Sequence, residues 1–230
     1  MSLSSIHDIN ALKDRLYREA TSAVGMVDSA IDALWSMNRD AAREVKGRDS
    51  FIDSEEIAIE QECLRLMTLQ QPFGRDFRIL TFILKVNADI ERVADHGSGI
   101  AKTIIKMPEG AIPQWPTALV ELCQRVPMAC HALLRALQTE DCDGARAIVD
   151  GDKTIDSLHR RLFDETLEMM QRTPNAHHTG LLVYRLGREL ERIGDLMTNI
   201  AEDIVYLCTG SIVRHDKKLG RLAEAAPKGP

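Results

Sequence analysis

Aromatic residues make up only 4% of the 230-residue chain. β-Branched clusters are equally sparse and no stretch alternates apolar with polar residues, so little speaks for strands. No apolar run is long enough to span a bilayer. The N-terminus, MSLSSIHDIN, lacks the basic and apolar regions of a secretory signal. The five cysteines, Cys63, Cys123, Cys130, Cys142 and Cys208, are widely spaced and form no CxxC pair. An odd, dispersed set argues against a disulfide framework and reads as small core residues in a reducing cytoplasm. A net charge of -6 removes any global drive toward nucleic acid or an anionic membrane. There is no Walker A loop, GxGxxG, HExxH or nucleophile elbow. With no catalytic constellation, a binding or regulatory protein is expected rather than an enzyme.

What the chain does have is helix. Leu, Ala, Met, Arg and Glu dominate, all good helix formers. Ile79, Ile83, Val86, Ile90, Val93, Ile100 and Ile104 recur at three- and four-residue steps, as do Leu182, Leu186, Leu190, Ile193, Met197, Ile200 and Ile204. Breaks fall near Asn38, at Gln71-Pro72-Phe73-Gly74, at Asp141-Cys142-Asp143-Gly144 and at Arg172-Thr173-Pro174-Asn175. Met107 to Pro116 holds three prolines and a glycine, marking a linker. Six helices are predicted, roughly 6–37, 41–70, 75–106, 116–139, 144–172 and 178–209. The expected domains are 1–108, a linker 109–115, a second unit 116–210 and a frayed tail 211–230.

The halves repeat one another. Asp40-Ala41-Ala42-Arg43 answers Asp143-Gly144-Ala145-Arg146, and Glu91-Arg92-Val93-Ala94-Asp95 answers Glu191-Arg192-Ile193-Gly194-Asp195, with the offset drifting only from 103 to 100 residues. A duplicated three-helix unit explains this, so the predicted fold is all-α, two tandem antiparallel three-helix bundles.

Each half carries two acidic pairs spaced by four: Asp49/Asp53 with Glu91/Asp95, and Asp152/Asp156 with Glu191/Asp195. That spacing stacks two carboxylates on one helix side, where they repel by about 0.2–0.5 kcal/mol. A lone pair of this kind is an ordinary solvated face; four pairs at matching places point to cation binding. Hairpin register brings Asp53 level with Val93 and Asp156 level with Asp195. An all-oxygen cluster suits iron, manganese, magnesium, calcium or zinc. Asn199, a turn beyond Asp195, offers another oxygen, but its counterpart is Gly99. The carboxylates sit off the apolar stripes, which places the sites in surface grooves, and no Glu-x-x-His motif accompanies them. His177 and His178 read as loop or capping residues; His96 and His159 lie near the acidic motifs, but His96 points about 100° away from Asp95 and is not expected to be a ligand. Gly97 and Gly99 suggest close helix contact, and Trp35 and Trp115 read as packing residues.

The repeated ERxxD motifs, with Gln71-Pro72-Phe73-Gly74-Arg75-Asp76-Phe77-Arg78 opening a helix, resemble the PhoU family of phosphate-signalling regulators. The resemblance covers about residues 7–209. It implies a cytoplasmic, often homodimeric negative regulator of phosphate uptake and of the phosphate-starvation response. It implies contact with the ATPase subunit of a phosphate ABC transporter and with a sensor histidine kinase, so that the membrane is met only through partners. It also implies iron or zinc clusters on the E(D)xxxD faces: Glu91, Asp95, Glu191 and Asp195 first, Asp49, Asp53, Asp152 and Asp156 second. A metal-storage protein or a structural helical scaffold is the alternative.

Overall fold

The computed structural model describes residues 3–108 and 115–210. The tail 211–230 and all of the linker except Trp115 lie outside the described residues. The helices are α1 Leu3–Trp35, α2 Arg39–Gly47, α3 Asp49–Gln70, α4 Arg75–Lys106, α5 Thr117–Thr139, α6 Cys142–Arg172 and α7 His177–Thr209. The fold is all-α, in two repeats of a three-helix hairpin.

One correction concerns the helix predicted over 41–70, which is two. At Arg48 the chain tightens into three-residue turns: Arg48 N–H donates to Val45 O and Phe51 N–H to Arg48 O, each at 3.1 Å. The resulting bend lets Ala42 and Val45 pack fully inward. The second repeat has Gly151 at the matching place, yet α6 runs straight through it, and Ile148, the counterpart of Val45, stays half-buried. An apolar groove of about 480 Å³ results between α5, α6 and α7, bounded by Met128, Ile148, Asp152 and Thr198.

Both repeats start their middle segment with the same device. The Asn38 side chain accepts from the Asp40 and Ala41 N–H groups at 3.0 Å, and that of Asp141 from Asp143 and Gly144 at 3.1 Å. The repeats do not have separate cores. One apolar cluster runs through both, with α4 packed on α7 and α1 on α5. Trp35 and Trp115 meet edge to face at 5.8 Å. Cys63, Cys123 and Cys130 are buried as expected, but Cys208 is exposed and donates to Glu140 O at 3.3 Å.

The α6–α7 contact is set by a glycine every seven residues. Gly180, Gly187 and Gly194 of α7 face Met170, Leu162 and Ile155 of α6. A Cβ at Gly187 would lie 1.9 Å from Leu162 Cδ2, and Leu162 is fully buried. Helix propensity alone favours Gly187→Ala by up to about 1 kcal/mol. Overpacking opposes it by about 1–3 kcal/mol, so Gly187→Ala is expected to lower stability in urea unfolding. Leu162→Ala in the same chain should recover part of the loss relative to the sum of the two single changes.

Candidate metal centre

The glycine-set approach of α6 to α7 determines what the acidic pairs can do. Gly194 precedes Asp195, and a Cβ there would meet Ile155 at 3.0 Å, just before Asp156. The two helices are therefore in close contact beside their carboxylates. One ligand atom from each of Asp152, Asp156 and Asp195 lies within 4.8 Å of the others. Asp156 is exposed and the other two are half-buried, so the cluster opens to solvent, as the surface-groove reading expects. Thr198 Oγ1 donates to Asp152 Oδ1 at 3.1 Å, fixing that carboxylate.

The electrostatics show what such a cluster lacks. Burial raises the Asp195 carboxyl above its ordinary range; Glu191 and Asp156 add to this, and Arg192 works against it. Arg192 stands 3.5 Å from Asp195 and 3.7 Å from Glu191 but is half-exposed, so it neutralises the cluster weakly. Three oxygen donors with a surplus of negative charge suit a hard or borderline divalent cation, and Asp152, Asp156 and Asp195 are the residues that would hold it. Glu191 does not join the triad, and Asn199 is exposed a turn away.

In the first repeat Asp49 and Asp53 stand on α3, Glu91 and Asp95 on α4. Their carboxyls feel one another: burial, then Asp95, Asp53, Glu56 and Asp49, raises the Glu91 carboxyl, and burial, then Asp49 and Asp53, raises that of Asp95 against Lys102. Among the described residues they do not close to the spacing of the second triad. Ser98 Oγ donates to Asp49 Oδ2 at 3.0 Å, and Lys102 Nζ lies 3.5 Å from the same oxygen. Here the protein supplies a cation of its own where the second repeat has Glu202.

Several contributors escape a motif-based reading. Ser98 and Thr198 are matched hydroxyls 100 residues apart, and each binds the first aspartate of its pair. Glu56 and Glu19 extend the first cluster inward; Glu19 stands out in the sequence as a charge on the apolar stripe Leu12, Leu16, Ala23, Met26. Gly99 is explained by packing. A Cβ there would lie 2.8 Å from Glu189 Cδ, whose carboxylate binds His96 Nδ1 at 2.8 Å. His96 is therefore a tie between the repeats. Burial pushes the Glu189 carboxyl up, but His96 and Arg185 outweigh it and hold it low. Gly99→Asn, which restores the residue of the other repeat, is expected to displace this pair. A loss of about 1–2 kcal/mol in thermal unfolding would follow.

A three-helix hairpin occurring twice, with acidic pairs at matching places on its helices, defines the two-repeat helical-bundle class. The profile of the PhoU domain matches residues 9–104 and again 119–204. The chain belongs to the PhoU family. It is 31% identical over 186 residues to the phosphate-specific transport system accessory protein PhoU homolog of Deinococcus radiodurans, covering 81% of this chain and 87% of that one. The homolog of the same description in Pseudomonas aeruginosa is 32% identical over 190 residues, covering 82% and 78%. Among solved structures, PhoU from Pseudomonas aeruginosa superposes with a TM-score of 0.85 at 29% identity over 89% of this chain and 99% of its own. The phosphate transport system regulatory protein PhoU from Streptococcus pneumoniae gives 0.84 at 26% identity over 91% and 99%.

Proposed function

We propose that this protein regulates phosphate transport as a negative regulator of uptake and of the phosphate-starvation response. It acts as an adaptor between the ATPase subunit of a phosphate ABC transporter and a sensor histidine kinase. The observation that carries the reading is the family membership over both repeats, joined to relatives named for accessory and regulatory roles in phosphate transport. No described helix is long and apolar enough to cross a membrane. In this reading the membrane is met through the partners. The protein works in the cytoplasm as a homodimer, binds no nucleic acid and performs no catalysis of its own.

The acidic faces supply the switchable part. Asp152, Asp156 and Asp195 hold a divalent metal, iron or zinc among the candidates, with Glu191 and Asn199 at its edge. Asp49, Asp53, Glu91 and Asp95 form the second face. The second triad borders the apolar groove through Asp152, so a partner seated in the groove reaches the metal as well. Deleting the gene should switch on phosphate-scavenging genes in phosphate-rich medium, read with a reporter. Unchanged expression in the deletion strain, with the reporter responsive to starvation, would overturn the regulatory reading and favour a metal-storage role.

A further inference from the structure

The buried face of α1 carries a carboxylate with nothing to hold it. Glu19 is 3% exposed, and neither oxygen has a hydrogen-bond partner. It lies among Glu56 and Glu55 of α3, Glu91 of α4 and Arg15 of its own helix. Arg15 is engaged elsewhere: its guanidinium grips Glu55 through two bonds, at 2.9 and 3.0 Å. A second orphan oxygen stands on α4, on a side chain bonded to the backbone of Glu56. Asn87 is 1% exposed; its Nδ2 donates to Glu56 O at 2.8 Å, while its Oδ1 accepts nothing.

The other repeat shows this layer without the carboxylates, although His159 Nε2 there has no hydrogen-bond partner. The repeat offsets bring Glu19 onto Leu122, Glu56 onto His159 and Asn87 onto Gly187. Leu122 and Leu162 are fully buried, and Leu162 fills the space that Gly187 leaves. A solution without a buried carboxylate is thus available to this fold. A buried carboxylate in its stead is strongly unfavourable unless something compensates it.

We propose that Glu19, Glu56 and the Asn87 amide oxygen form a site for one divalent cation on the inner side of the first repeat. It lies one helical turn from Asp53 along α3 and from Glu91 along α4. Two carboxylates and an amide oxygen make a hard donor set whose charge balances a divalent ion. Half-buried Glu56 gives the ion its way in from solvent. The second repeat has no equivalent, so the two repeats bind different numbers of ions.

Mn²⁺ alone is the probe. The full chain, stripped with chelator and carrying Asp152→Asn, Asp156→Asn and Asp195→Asn to silence the second triad, is titrated calorimetrically with and without Glu19→Gln or Glu19→Leu. The expected result is that either change removes one equivalent of Mn²⁺ or weakens its binding by ~10–100-fold, and abolishes part of the Mn²⁺-induced rise in melting temperature. Glu19→Leu copies the other repeat and should fold at least as well without metal; Glu19→Gln, nearly isosteric, serves if it does not. Equal stoichiometry and affinity in all variants would show that Glu19 simply keeps its proton, and would overturn the site. Absence of Mn²⁺ binding in the parent chain would do the same. Neither outcome touches the regulatory reading, which stands or falls on the reporter strain.

Discussion

In chelator, the protein is expected to lose on the order of 3–5 kcal/mol of stability as pH rises from 4.5 to 8, mostly through Glu19. Burial, then Glu56 and Glu55, pushes this carboxyl up to about 8, with Arg15 opposing and Glu91 adding. A carboxyl whose folded pKa lies above its unfolded value favours folding fully below the unfolded value, and that contribution disappears as pH climbs through the folded one. Glu56, Glu91, Asp95 and Asp195 are raised as well and act in the same direction. The opposite sign belongs to Glu189 and Glu140, and to Glu55 and Glu62, which hydrogen bonds from Arg15 and Arg65 hold low. For Glu140, as for Glu189, burial works upward but cationic partners, here Lys13 and Arg75, outweigh it and hold the carboxyl low. Their stabilisation is lost as pH falls through the acid range. The metal-free protein should therefore be most stable in mildly acid solution. Urea unfolding from pH 4 to 9 checks this: Glu19→Gln should flatten the alkaline side and leave the acid side in place. A parallel decline in the variant would contradict the assignment.

Replacing Asp152, Asp156 and Asp195 together by asparagine is expected to weaken divalent-ion binding at the second repeat by more than ~100-fold, since loss of even supporting residues around a metal costs 10–100-fold. The fold should not suffer. Asparagine keeps an acceptor for Thr198, and removing the Asp152/Asp156 repulsion favours the helix by about 0.2–0.5 kcal/mol. Unfolding in chelator separates the two effects: unchanged or higher apo stability with lost binding identifies a ligand set. Weakened folding with binding intact would mean that the carboxylates are structural. By contrast, Asp49→Asn with Asp53→Asn should have a smaller effect on ion binding, because Lys102 already shares the charge at Asp49.

Much of this was readable from residue spacing. The duplication, the breaks near Asn38 and at Asp141, and the level of Asp156 with Asp195 all follow from periodicity, turn residues and hairpin register. The break at Arg48 was not readable, because Gly47 and Gly151 offer the same local weakness and only tertiary packing of Val45 decides between bend and straight helix. Gly99 stands where the other repeat has Asn199 and also reads as a place of close helix contact; the contact is there, with Glu189 of the other repeat. No local pattern names Glu189 as the partner. The glycines at 180, 187 and 194 and the charge at Glu19 were visible in the sequence, but their meaning depends on which helix faces them.

The proposed adaptor role requires that a metal-carrying acidic face of this PhoU-family chain meet the phosphate transporter. Binding of the purified chain to the transporter's ATPase subunit, measured by surface plasmon resonance with Mn²⁺ and with chelator, tests it most directly. Binding that is stronger with Mn²⁺ and loses that gain in the Asp152→Asn, Asp156→Asn, Asp195→Asn chain is the predicted result. No binding under either condition, or binding indifferent to both metal and substitution, would contradict it.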